Sequence, residues 1–218
     1  MLEAVNREFQ SYGLQLEGAA GDLLSTSGVW QSNIQRDMMR RCKVSQVPLT
    51  KLEVPVMVKV KMTKKKLPVV LPHQLLPWLV ENGFLPVDDD ACHEVASYWS
   101  HARSVGLAAS GQTDAHIPLY LWGDDAQFTQ THQDKLVAVA FGRVLETCKN
   151  ALRTVWPLFL YQQAYSVGPG TLNTFMDEVV KSFNILYEEG VMVKTPSGER
   201  KRLYAAVVQY QGDWKWHK

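Results

Sequence analysis

Apolar and polar positions along this chain keep two different rhythms, and the change of rhythm marks out its elements. VPVMVKVKM, Val54 to Met62, sets Val56, Val58 and Val60 against Met57, Lys59 and Lys61. That is the period-two pattern of one strand with a wet face, and Thr63 to Lys66 reads as its charged exit. Leu71 to Gly83 predicts a short helix that starts near Pro72 and stops at Gly83, with Pro77 weakening its first turn. In ACHEVASYWSHARSVG the residues Val95, Tyr98, Trp99 and Ala102 recur at helical spacing. Asp90 is the expected N-cap there, with Asp88 and Asp89 at the positive end of the dipole, so capping rather than metal binding accounts for the acidic triplet. The first 35 residues are weakly patterned and broken by GAAGD and STSG, which predicts a loosely packed extension; Asn33 to Lys43 is patterned as a short basic helix.

From Ile117 the pattern becomes that of a sheet. PLYLWGDD reads as a buried strand, KLVAVAFGRVL as a second and TVWPLFLYQQ as a third, with Pro157 confining the third to an edge or a bulge. Leu172, Phe175, Met176, Val179, Val180, Phe183 and Leu186 then fall on one face of a helix closed by Gly190. A PSG turn at Pro196 to Gly198 leads into RLYAAVVQYQ, the fourth strand. In a three-stranded meander the first and third strands run the same way, and a helical crossover can return the fourth parallel to the first. The expected class is therefore α/β: a mixed sheet of three antiparallel strands, a crossover helix and a fourth strand parallel to the first, preceded by a mainly helical N-terminal part. The divisions expected are an extension with a basic arm and one strand (1–66), a helical segment (67–116) and the sheet core (117–218).

This topology gives two Gly-Asp steps a common address. If the fourth strand lies beside the first, Asp124 in WGDD and Asp213 in QGDW sit at carboxyl ends on one sheet edge, where open α/β sheets place ligands. A carboxylate pair there suits a hard divalent cation, Mg²⁺ or Mn²⁺. The plain alternative is that Gly-Asp closes strands as turn chemistry. Both readings stand on the residues alone.

Charge sharpens the picture more than composition does. Hydrophobic content of 46% and charged content of 21% over 218 residues suit a globular chain, and the net charge is +1. That total hides a segregation. Between Arg36 and Lys66 ten Lys/Arg stand against Asp37 and Glu53, a net of +8, whereas between Leu67 and Asp134 Arg103 stands alone against nine acids, a net of −8. Arg40, Arg41, Lys59, Lys61, Lys64, Lys65 and Lys66 are candidate phosphate contacts in a basic arm, and a solvated charged face is the competing reading. Trp214 and Trp216 alternate around Lys215, so that in a strand both rings face one side, to stack on bases or to pack in a core.

Several classes are disfavoured. No apolar run approaches the roughly 20 residues that span a bilayer, and the N-terminus lacks a secretory h-region, so an intracellular protein, nuclear or cytoplasmic, is expected. Cys42, Cys92 and Cys148 are too dispersed for a disulfide framework or a zinc knuckle. There is no Walker A loop, GxSxG elbow or HExxH, and His93, His101, His116, His132 and His217 lack paired ligand spacing.

LPHQLLPWL, SYWSHAR, PLYLWGDDAQF, VWPLFLYQQ and GDWKWH resemble a mobile-element-derived group from protist genomes similar to the Plavaka-like transposases, which have the ribonuclease-H-like fold of DDE/D transposases and integrases. The likeness covers about two thirds of the chain, from near Leu71. It implies that Asp124 matches the first catalytic aspartate and Asp213 the second, with Asp125 a neighbour rather than a ligand. It implies two-metal cleavage and strand transfer on DNA with Mg²⁺ or Mn²⁺ as cofactor. The family's third acidic residue would lie well after Asp213, and neither Glu178 nor Glu188 is on the right helix, so a C-terminally shortened remnant with weak or no activity is expected. The alternative is a catalytically dead module that binds nucleic acid or a protein partner. DNA is the expected partner, a membrane is not, and a homo-oligomer is left open.

Overall fold

A computed structural model describes residues 11, 46–107, 111–127, 135–145 and 154–212. The chain divides into two compact units, Met1–Gln46 and Val47–Lys218, and every element below belongs to the second. The expected helix over Asn33 to Lys43 lies outside the described residues.

The lysine-rich segment is a hairpin rather than a single strand with a charged exit. β1 (Thr50–Val58) and β2 (Lys61–Val69) pair antiparallel, from Val58 opposite Lys61 to Thr50 opposite Val69. The two-residue turn at Lys59 and Val60 takes positive φ at both positions, 46° and 67°. This is the backbone that matches the twist of two flanking strands, although it normally selects Asn or Gly. Alternation nevertheless holds within each strand: Val54 and Val56 are buried, and their partners Lys65 and Thr63 lie on the same face.

Two helices follow. α1 (Pro72–Glu81) starts with Pro at its first position, keeps Pro77 inside, and buries Leu75, Leu76, Leu79 and Val80. α2 (Asp89–Ser104) buries Val95, Trp99 and Ala102, as the spacing predicts. Its cap is Asp88, not Asp90: the Asp88 carboxylate accepts a hydrogen bond from Ala91 N at 2.9 Å. That places Asp89 and Asp90 in the first turn, beside the unpaired N–H groups.

The sheet has five strands in the order β5-β4-β3-β7-β6, formed by β3 (His116–Gln127), β4 (Lys135–Arg143), β5 (Val155–Gln162), β6 (Val191–Lys194) and β7 (Arg200–Gly212). β3, β4 and β5 form the antiparallel meander. Between β5 and β6 runs the crossover helix α3 (Pro169–Glu188), and β7 returns beside β3 and parallel to it. The α/β class and the mixed sheet are thus as expected, with one addition. β6, only four residues long, pairs antiparallel with the start of β7 and precedes it as the outer arm of a hairpin. Pro157 does what a strand proline must: β5 is an edge strand, and its ladder with β4 slips a register between Val139 and Ala140, where Pro157 enters.

α3 covers one face of this sheet. Phe175, Val179 and Leu186 have no exposed surface, and each contributes about 1.5–3 kcal/mol by burial. Phe175 stacks on Phe159 with ring centroids 4.4 Å apart. Of the apolar positions assigned to this helix face, Val180 turns outward and is 47% exposed, while Thr171 and Ser182 are buried in their place. Among the described residues no helix is long and apolar enough to cross a membrane.

Candidate functional site

The central parallel pair fixes the geometry around Asp124. Along β3 and β7 the ladder first joins His116 to Tyr204 and Leu119 to Val207. A bulge between Leu119 and Tyr120 then adds one residue on the β7 side, so that Tyr120 meets Gln209 and Gly123 meets Gly212. Gly212 sits at φ +136°, and a side chain there would run into the Gly123 carbonyl oxygen. Only glycine permits this approach, because it has no Cβ.

Asp124 follows Gly123 immediately, opposite Ala138 of β4. It is half-buried, and its Oδ1 accepts a hydrogen bond from Asp125 N at 2.7 Å. Among the described residues its carboxylate has no cationic partner. Asp125 points to the opposite face, as strand alternation requires, and its carboxylate lies 3.6 Å from Lys135 Nζ. The two adjacent aspartates therefore differ: among the described residues one pairs with a lysine and the other accepts from a backbone N–H. Asp213 and Trp214, like Arg40 and Arg41, lie outside the described residues. Among the described residues no three His, Cys, Asp or Glu side chains cluster as a metal site.

The five expected phosphate contacts on the hairpin separate by face. Lys59 occupies the turn. Lys64 and Lys66 share the outer face with Met62, opposite Pro55 and Glu53, whereas Lys61 and Lys65 alternate to the face that carries Val54 and Val58. All five are exposed. Lys51, on β1, adds a sixth cation that the sequence reading did not single out.

The hairpin is pinned to the sheet at the same end as Asp124. Lys65 lines a small cavity together with Leu67, Leu160, Tyr161 and Gln162. Leu160 belongs to the row of the ladder that runs from Asp124 through Ala138 to β5, two strand spacings from Asp124, or about 10 Å. Val70 N donates to Leu158 O at 2.8 Å. Buried Thr171 of α3 completes the attachment: its Oγ1 donates to Pro55 O at 2.7 Å and accepts from Val167 N at 2.9 Å. Burial raises the Tyr161 hydroxyl above its ordinary pKa, against an opposing hydrogen bond from Ser166.

His116 illustrates the structural use of histidine. It is buried, and its Nε2 lies 3.0 Å from Tyr187 O and its Nδ1 3.0 Å from both the N and the Oγ1 of Thr113. Both ring nitrogens are therefore taken up by fold contacts. The second hairpin strand and its division of lysines between faces were missed by sequence reasoning. The signal available was the length of the Val54–Val69 run, about three times that of a common strand. No family model, curated protein or solved structure matches the chain.

Proposed function

We propose that the Val47–Lys218 unit is a ribonuclease-H-like domain of the DDE/D transposase type, derived from a mobile element, that binds a divalent cation at Asp124 and Asp213 and DNA on its basic hairpin. One observation carries this reading. Beyond the bulge, β3 and β7 pair residues 89 apart in sequence, as Gly123 with Gly212, and 89 is also the separation of Asp124 and Asp213. The register beyond the bulge thus has the same spacing as the two aspartates, whereas the ladder before the bulge has a spacing of 88.

Two carboxylates on one cation would let Mg²⁺ or Mn²⁺ polarise a phosphodiester and activate water or a 3′-hydroxyl. The reading commits to metal binding at this pair. The test is a melting series with Mn²⁺ and Mg²⁺. Binding to the folded state raises Tm, and Asp124→Asn, which keeps an acceptor for Asp125 N, should abolish that rise without unfolding the chain. An unchanged metal response in Asp124→Asn, or none in the parent protein, overturns the reading.

A second reading, a catalytically inert nucleic-acid-binding module, is favoured by the hairpin itself. Between Thr50 and Val69 six lysines stand against Glu53 on an exposed two-stranded ribbon. Counterion release from phosphates would drive such binding without base contacts. DNA affinity that persists in Asp124→Asn and without metal would favour this second reading.

A further inference from the structure

A second cavity lies at the far end of the sheet. β3 runs from Ile117 at that cavity to Asp124, seven residues or about 23 Å of strand. The cavity has a volume of about 360 Å³, within the range of small-ligand sites and enough for about a dozen water-sized groups at about 30 Å³ each. Its walls are apolar: Pro86, Val87, Ala91, Val95, Ile117 and Leu203. Cys92, Asp114, Arg143, Lys201 and Arg202 also line it.

Most of these charges are already engaged. Asp114 pairs with Arg103. Lys201 Nζ lies 3.5 Å from Glu199 and 4.0 Å from Asp89, and Arg202 donates to Glu189 O at 2.7 Å. Arg143 differs. It is the last residue of β4, only 5% exposed, and among the described residues its Nε is shut off from solvent without any hydrogen-bond acceptor. A buried N–H donor without an acceptor is costly to a fold, and more so when it belongs to a charged group. An apolar chamber that ends on a guanidinium whose Nε has no acceptor among the described residues is shaped for an apolar body that carries an anion.

From this the geometry points to a binding site for a small organic carboxylate, its aromatic or branched aliphatic body against Val87, Val95, Ile117 and Leu203 and its carboxylate on the Arg143 guanidinium. Charge-assisted contact with a planar fork favours a carboxylate, and the site is independent of the metal and DNA reading. It requires no chemistry at the ligand.

The probe is 3-phenylpropionate, compared with the neutral 3-phenylpropanol of similar shape, on the full chain. Calorimetry should show binding of the acid at least tenfold tighter than the alcohol, and the acid alone should raise Tm. Arg143→Met should lose the acid's advantage. It should also melt higher than the parent without ligand, which loss of a merely structural arginine would not produce. Should Arg143→Met fail to fold, Cys92 supplies a second measurement on the parent protein, because it is exposed and lines the cavity. Peptide-resolved mass spectrometry should show the acid slowing alkylation of Cys92 by N-ethylmaleimide severalfold, and the alcohol not. Equal affinity for acid and alcohol, no binding of either at millimolar concentration, acid affinity undiminished in a folded Arg143→Met, or unprotected Cys92 would each overturn the assignment.

Discussion

Gly212 packs its backbone against the carbonyl of Gly123, at a φ of +136° and with no room for a side chain. The contact joins the two strands of the parallel pair one step before Asp124. Gly212→Ala should therefore lower stability by about 2 kcal/mol or more, the sum of a clash and a disallowed backbone. Denaturant titration reads the stability, and a Mn²⁺ melting series on the variant should show a weakened metal response alongside it.

One buried hydroxyl contributes to the attachment of the hairpin. Thr171 is fully buried and satisfies both Pro55 O and Val167 N. Thr171→Val keeps the shape and strands both partners, at a cost of about 1–3 kcal/mol for each unsatisfied group. Thr171→Ser should recover most of that. Equilibrium unfolding of the three proteins separates these outcomes.

His73 couples stability to pH. Burial holds its imidazole below the ordinary value of 6.5, with Nδ1 2.8 Å from Ser182 Oγ. The unfolded chain then takes up its proton before the folded one. The resulting stability is fully present above the unfolded value and declines as pH falls from about 6.5 towards the folded pKa. The drop in Tm from pH 7.5 to pH 5 should be smaller in His73→Gln than in the parent.

Lysines that share the outer face of the hairpin should not count equally in DNA binding. Lys66 lies opposite Glu53, whereas Lys64 lies opposite Pro55. Removing a cation that neutralises one phosphate should flatten the slope of log affinity against log salt by about 0.9. Fluorescence anisotropy across a salt series should therefore show a larger effect for Lys64→Ala than for Lys66→Ala, and the largest for the triple variant with Lys65→Ala.

The meander, the long helix and the parallel return of β7 were legible in the sequence because long apolar runs with the right period leave few topologies. The hairpin was not. Val56, Val58 and Val60 alternate without a break, and the turn at Lys59 and Val60 contains neither Gly nor Asn to announce it. β6 is too short, at four residues, to carry a period. Three consecutive aspartates offer three caps, and only the backbone selects Asp88. At the candidate site, the pairing of the strands that end in Gly123 and Gly212 could be anticipated from strand order. The register could not, since it depends on a bulge opposite Leu119 and Tyr120 that leaves no mark in the pattern. Arg143 was invisible for a related reason: one arginine at a strand end reads as surface until the walls around it are known.

The parallel pairing of β3 with β7 also sets an order of assembly. β1 with β2, β3 with β4, and β6 with β7 close over short loops, whereas His116 must find Tyr204, 88 positions further along the chain. Pairings so distant in sequence are slow to form, because loop entropy is lost before any pairing offsets it. The central ladder is therefore the last to zip. Until it does, β3 has an open edge, and the sequence LYLW on that edge is a template for pairing with another chain. Refolding yield should fall with protein concentration for this reason, and a chaperone that shields β3 would be needed longest at the step that completes the sheet.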